Sequence, residues 1–231
     1  MSLTVLAIDT SSATGSVALV RGGETLGEAA LTSLPGHSES LLYALTRLLA
    51  DAGVTLDGVD LLAAGVGPGS FTGLRVGLSA MKGLHLATGT PLLGAPSLLA
   101  LAMHADRSDR APLVCAAIDA RRGDVFAAVY RAEGGAYAPV VPEQMTRPGA
   151  LHALLEGLGA PVLCLGDAFF PAAPPLVAAL PCMIVPPVPA LHLPSAVHVA
   201  AIAAARRARG EADLAAGLEP RYVRPVDFKT S

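Results

Sequence analysis

"LAIDTSSATGSVALVRGGETL", residues 6–26, is echoed by "AAIDARRGDVFAAVYRAEGGAY", residues 116–137. Each copy opens as an apolar run ending in Ala-Ile-Asp, at Asp9 and at Asp119, and continues after a turn as a strand to Arg21 or Arg131. Glycine pairs follow in both copies. Two-residue hairpin loops need positive φ at one or both of their central positions, so these pairs predict tight turns. A third strand is expected near Thr25–Leu31 in the first copy and Val140–Thr146 in the second.

Outward from the repeat, "GHSESLLYALTRLLADAG" puts Leu41, Leu42, Leu45, Leu48, Leu49 and Ala52 on one helical face, with Gly53 past the end. Strand "LLAAGV", a glycine-rich turn, a helix to about Thr88, strand "PLLGAP" and a helix from Ser97 complete the first half. The second half predicts a helix over Pro148–Leu158, a strand over Pro161–Gly166 and a helix over Pro194–Arg209. The proline-rich "PAAPPLVAALPCMIVPPVPALHLP" between the last two reads as a buried strand held between rigid turns. The chain is therefore an α/β protein of two duplicated lobes, each a mixed sheet flanked by helices. Charges cluster in "HADRSDRAP" just before the second copy, which sets the expected division at 1–108 and 109–231.

Over half of the 231 residues are hydrophobic, but only 4% are aromatic and tryptophan is absent. The core must be built from Ala, Leu and Val. No apolar run approaches the roughly 20 residues that span a bilayer, and the start "MSLTVLAIDTSS" lacks the pattern of a secretory signal. Cys115 and Cys164 sit inside apolar strands, where a reduced buried thiol is the ordinary state. These features predict a cytoplasmic protein with no membrane association. A formal net charge of −3 gives no general attraction to nucleic acid.

The glycine-rich block "AAGVGPGSFTGLRVGLSAMKG", residues 63–83, invites several chemical readings. A P-loop needs Gly-Lys-Ser or Gly-Lys-Thr, which the chain lacks. A dinucleotide fingerprint needs an acidic residue about 20 positions on, yet none occurs between Ser70 and Ala105. A nucleophile elbow needs serine where Phe71 stands. Ser79 and Lys82 form Ser-x-x-Lys without the other elements of acylating enzymes. What remains is a turn at Gly67 and Gly69 that leaves helix amides open to an anion, with Ser70 or Thr72 as cap, or a tight turn alone.

In the helix that follows, Phe71, Leu74, Leu78 and Met81 form a bulky face, and Gly73, Gly77, Ala80, Leu84 and Ala87 form a small-residue face. The pattern predicts burial on two sides, with an internal helix and a partner's helix equally open as the second neighbour. Asp9, Thr10 and Ser11 offer a carboxylate and hydroxyls to magnesium and phosphate, or else shape a turn. Asp119 is followed by Ala120 and Arg121, so the second copy of that site is altered. The six histidines, at 37, 85, 104, 152, 192 and 198, include no His-x-x-x-His pair, and no metal site is expected.

"LAIDTSS", "GVGPGSFTGLRVGLSAMKGL", "IDARRGDVF" and "PRYVRP" resemble, in order and over nearly the whole chain, the TsaB (YeaZ) family of tRNA threonylcarbamoyladenosine biosynthesis. The resemblance implies the duplicated actin-like ATPase (ASKHA, ribonuclease H-like) fold. It implies a non-catalytic paralogue of the metal-bearing TsaD, which dimerises with and activates TsaD, together with the TsaE ATPase. That complex moves a threonylcarbamoyl group onto N6 of adenosine 37 in ANN-decoding tRNAs, so tRNA is met only within the complex. The family's homodimer and TsaD interface maps to the helices from Ser38 and Ser70, giving His37, Phe71, Gly73, Leu74, Gly77, Ala80, Met81 and Leu84 as interface residues. No cofactor is required on this reading. The alternative is an autonomous actin-fold ATPase or kinase that binds ATP, ADP or Mg²⁺ through Asp9, Thr10, Ser11 and the turn of Gly67, Gly69, Ser70 and Thr72.

Overall fold

The computed structural model describes residues 2–31, 37–107, 111–170, 175–212, 215–221 and 223. Packing divides the chain into two compact units, the first made of Met1–Ala100 and Pro194–Arg221, the second built on Leu101–Leu193.

In the first unit, strands β1 (Thr4–Asp9), β2 (Gly15–Arg21) and β3 (Glu24–Leu31) form an antiparallel meander. Gly22 and Gly23, at φ of 58° and 89°, make the predicted two-residue turn between Arg21 and Glu24. The chain then forms helix α1 (His37–Asp51), strand β4 (Leu61–Gly65), helix α2 (Phe71–Thr88), strand β5 (Leu92–Ala95) and helix α3 (Ser97–Ala102). β4 joins β1 in parallel and β5 joins β4, which gives the order β3-β2-β1-β4-β5. Every residue of β1 and β4 is buried, as parallel strands covered on both faces require.

The second unit repeats this order. Strands β6 (Leu113–Arg121), β7 (Asp124–Glu133) and β8 (Ala136–Thr146) form the meander, and helix α4 (Pro148–Gly157) leads to β9 (Val162–Leu165) and β10 (Met183–Ile184). The sheet runs β10-β9-β6-β7-β8, with β9 parallel to β6. β8 starts earlier than expected because it pairs from the Gly134-Gly135 turn onward. Among its described residues the proline-rich passage yields two half-buried strand residues instead of a buried strand. Proline supplies no amide hydrogen to a ladder, which keeps that pairing short.

The last helix, α5 (Ala196–Ala208), belongs to the first unit. Its Ala196, Val199, Ala200 and Ala203 pack on Val5, Ala7, Ala18, Leu61, Ala63 and Leu93, while α1 and α2 cover the opposite face through Leu41, Leu45, Leu78 and Met81. The expected division at 108/109 is thus replaced by a first unit whose segments come from both ends. Leu42 departs from the predicted apolar face of α1 and is 50% exposed. It lies about 100° around the helix from Leu41, enough to leave the core.

Candidate functional site

Asp9 ends β1 with its side chain 1% exposed. Its Oδ1 accepts hydrogen bonds from the Ser11 amide at 2.8 Å and the Ser11 hydroxyl at 2.5 Å, and its Oδ2 accepts from the Ser97 hydroxyl at 2.8 Å. Burial pushes its pKa above the ordinary carboxylate value, and the Ser11 and Ser97 hydrogen bonds only partly offset that. Ser97 in turn accepts from the Gly67 amide at 3.1 Å, and its own amide donates to the Gly67 carbonyl at 2.9 Å. Asp9 therefore ties the end of β1 to the start of α3 and to the glycine turn.

That turn closes on the same segment. The Ser70 amide donates to the Ser11 carbonyl at 2.7 Å, and the Ser70 hydroxyl caps α2 by accepting from the Gly73 amide at 3.2 Å. A Cβ on Gly65 would strike the Asp9 carboxylate, and one on Gly69 would strike the Ser11 carbonyl. Gly67, at φ 91°, precedes Pro68 across a cis peptide bond. The Arg221 amide donates to the Val66 carbonyl at 2.7 Å, which brings Arg221 to the glycine turn.

The structure thus gathers Asp9, Thr10, Ser11, Gly67, Gly69 and Ser70, while Thr72 stands exposed on the first turn of α2. These residues do not fit a magnesium-bound nucleotide. The carboxyl group is 1% exposed and already accepts three hydrogen bonds from hydroxyl and amide donors of the chain, and the Ser11 carbonyl faces the helix N-terminus that an anion would need. At the second copy, Asp119 accepts from the Arg121 amide at 2.7 Å and pairs with its guanidinium at 3.4 Å. The Asp119 amide donates to Asp167 at 2.8 Å, and burial holds the Asp167 carboxyl above the usual range. Among the described residues no three of His, Cys, Asp and Glu converge as a metal site.

Helix α2 differs from its predicted two-faced form. Leu74, Leu78 and Met81 are buried in the first unit's own core, so Leu74 and Met81 are unavailable to a partner. Gly73 and Gly77 face Thr10 instead of a second helix. A Cβ on Gly73 would meet the Thr10 carbonyl, and one on Gly77 would meet the Thr10 hydroxyl. Phe71 is 52% exposed, with the Arg75 guanidinium 3.7 Å above its ring. Ala80 and Leu84 remain partly exposed. His37 starts α1, and its side chain lies outside the described residues.

Between α1 and α2 runs an open groove of about 420 Å³ lined by Leu41, Leu42, Arg75, Val76, Ser79 and Ala80. Tyr43 and Leu86, 66% and 82% exposed, add apolar surface on the same two helices. Helical periodicity does not single out Leu42, Tyr43, Val76 and Leu86 as a surface, because it assigns leucine to the core by default. It does not find Ser97 either, since nothing local links that residue to a carboxylate 88 residues away.

Two sheets of the same strand order, each begun by a meander with a carboxylate at or near the end of its first strand, define the class: a duplicated actin-like ATPase fold. Component A of the (R)-2-hydroxyglutaryl-CoA dehydratase of Acidaminococcus fermentans shares this fold, with a TM-score of 0.52 over 89% of this chain and 99% of its own at 14% identity. A Pseudomonas aeruginosa protein described as similar to peptidase YeaZ superposes with a TM-score of 0.82 at 31% identity, covering 96% of this chain and all of the other. Residues 32–171 match the family model TsaD, tRNA N6-adenosine threonylcarbamoyltransferase. The tRNA threonylcarbamoyladenosine biosynthesis protein TsaB of Escherichia coli K12 is 35% identical over 163 residues, 70% of each chain. The chain belongs to the TsaB family of tRNA threonylcarbamoyladenosine biosynthesis proteins.

Proposed function

We propose that this protein is a non-catalytic subunit that docks a TsaD-like paralogue in the groove between α1 and α2 and thereby activates threonylcarbamoyl transfer to tRNA in the cytoplasm. The observation that carries the reading is the groove itself: Leu42, Val76 and Ala80 offer apolar surface over the buried Leu41, and Tyr43 and Leu86 add exposed apolar surface on the same two helices, on a chain whose buried Asp9 is engaged in structural hydrogen bonds. Apolar surface of this kind gains free energy when a partner helix removes it from water. The same face would serve the homodimer, so self-association and the heterodimer compete. A TsaE-like ATPase joins the complex, and tRNA meets this chain only there.

The test is reconstitution with the TsaD-like and TsaE-like proteins of the same cell. Modification of an ANN-decoding tRNA should require this chain, and Ala80→Arg should abolish both co-elution with the TsaD-like protein and activity while leaving the melting temperature within a few degrees, since Ala80 is partly exposed. Activity of the TsaD-like and TsaE-like proteins that is unchanged by adding this chain would overturn the reading.

A further inference from the structure

The underside of α2 rests on the Asp9–Thr10–Ser11 turn. Gly73 and Gly77 lie one turn apart, and each lacks the side chain that would collide with Thr10. At Gly77 the three atoms nearest to where a methyl group would stand are all in the Thr10 side chain, with the Cγ2 at 3.2 Å and the Cβ at 3.3 Å beyond the hydroxyl. At Gly73 the nearest is the Thr10 main-chain carbonyl. Around the helix, Val76 and Ala80 stand beside these glycines and form one wall of the groove, opposite Leu41 and Leu42 of α1. The turn is itself immobilised: Asp9 holds Ser11 through two hydrogen bonds, and the Ser11 carbonyl accepts the Ser70 amide at the start of α2.

We propose that Thr10 is a positioning residue for partner docking, a wedge beneath Gly77 that sets the distance of α2 from α1 and so the width of the groove. Packed interiors shift as bodies when a methyl group is added or removed at such a contact. Thr10 touches no partner on this account; it acts through the placement of Val76 and Ala80. The segment that offers a carboxylate and hydroxyls to phosphate in the sequence is, in the structure, the seat of a docking helix. The inference rests on the docking reading above.

A methyl swap tests it, with the dissociation constant for the TsaD-like partner measured well below each variant's melting temperature. Gly77→Ala should weaken binding about tenfold by lifting α2, and Thr10→Ala in the same chain should return it to within about threefold of wild type, because the two closest atoms are then gone. Gly73→Ala should weaken binding without rescue by Thr10→Ala, since the Thr10 carbonyl remains. A merely structural role would move melting temperatures without this pattern in affinity. Wild-type affinity in Gly77→Ala, or failure of Thr10→Ala to rescue it, overturns the proposal. Should Gly77→Ala fail to fold, Thr10→Ala alone decides: about threefold weaker binding with little change in melting temperature supports the wedge, and unchanged binding overturns it. Ala80→Arg separates the two readings, for if it also binds as wild type the groove is not the docking site.

Discussion

The Asp9 carboxyl exchanges water for hydrogen bonds from Ser11 and Ser97, and burial still raises its pKa. The folded protein then holds this proton more tightly than the unfolded chain. The contribution of Asp9 to stability is greatest below the ordinary carboxylate value of 3.8, falls as pH rises from there through the raised folded value, and is level above it. Asp9→Asn keeps the acceptor for Ser11 and removes the titration. Urea unfolding of the two proteins across that pH range should show the wild type losing stability relative to Asp9→Asn; the opposite trend would mean that the site prefers the charged form. Asp9→Ala leaves the buried Ser11 and Ser97 donors unpaired and should cost about 1–3 kcal/mol in the same experiment. The cysteines make a parallel case. Burial pushes the Cys115 thiol up to about 12 and the Cys164 thiol higher still, whereas Cys182 is half-buried. A thiol reagent added to the native protein should react quickly with Cys182 alone, and mass spectrometry of labelled peptides identifies which thiol it is.

Helix α2 contrasts two kinds of glycine within 18 residues. Gly77 must stay small because Thr10 lies against it, but Gly83 is exposed with open space where a side chain would project. Gly83→Ala should therefore stabilise the protein by about 0.5–1 kcal/mol through helix propensity, read as a higher melting temperature. The ends of this helix were legible in the sequence because their causes are local: Ser70 caps one end by bonding three residues ahead, and Gly89, at φ 72°, terminates the other. Its faces were legible only in part. Leu74, Leu78 and Met81 fall in the core as periodicity predicts, but Phe71 at the first turn projects to water under Arg75. The neighbour of Gly73 and Gly77 could not be read from spacing, since Thr10 lies far away in the chain and carries no apolar signature. Close approach calls for small residues whatever comes close.

At the scale of the molecule, duplication was legible because the two meanders keep their Ala-Ile-Asp ends and glycine-pair turns, features fixed by hairpin geometry. The destination of α5 was not. Its alanines and valines fit any apolar sheet face, and only tertiary packing assigns them to Val5, Ala7, Ala18 and Leu61. A fragment of residues 1–108 should therefore lack the cover for that face and bind a hydrophobic dye such as ANS, and a peptide spanning 194–221 added in trans should suppress the binding. A 1–108 fragment that is monomeric, dye-free and cooperatively folding would contradict this placement of α5.

The return of α5 to the first sheet also sets a timetable for synthesis. Chains emerge from the ribosome amino-terminus first, and domains generally fold as they appear. Here all five strands of the second sheet are available once Ile184 has emerged, whereas the sheet begun at Thr4 waits for Ala203 before its open face is covered. Of the two sheets, the one begun first is completed last. During that interval the nascent chain presents the apolar face of β1 and β4 to the cell, so a ribosome-bound chaperone that grips exposed apolar strands should hold this protein until α5 has emerged.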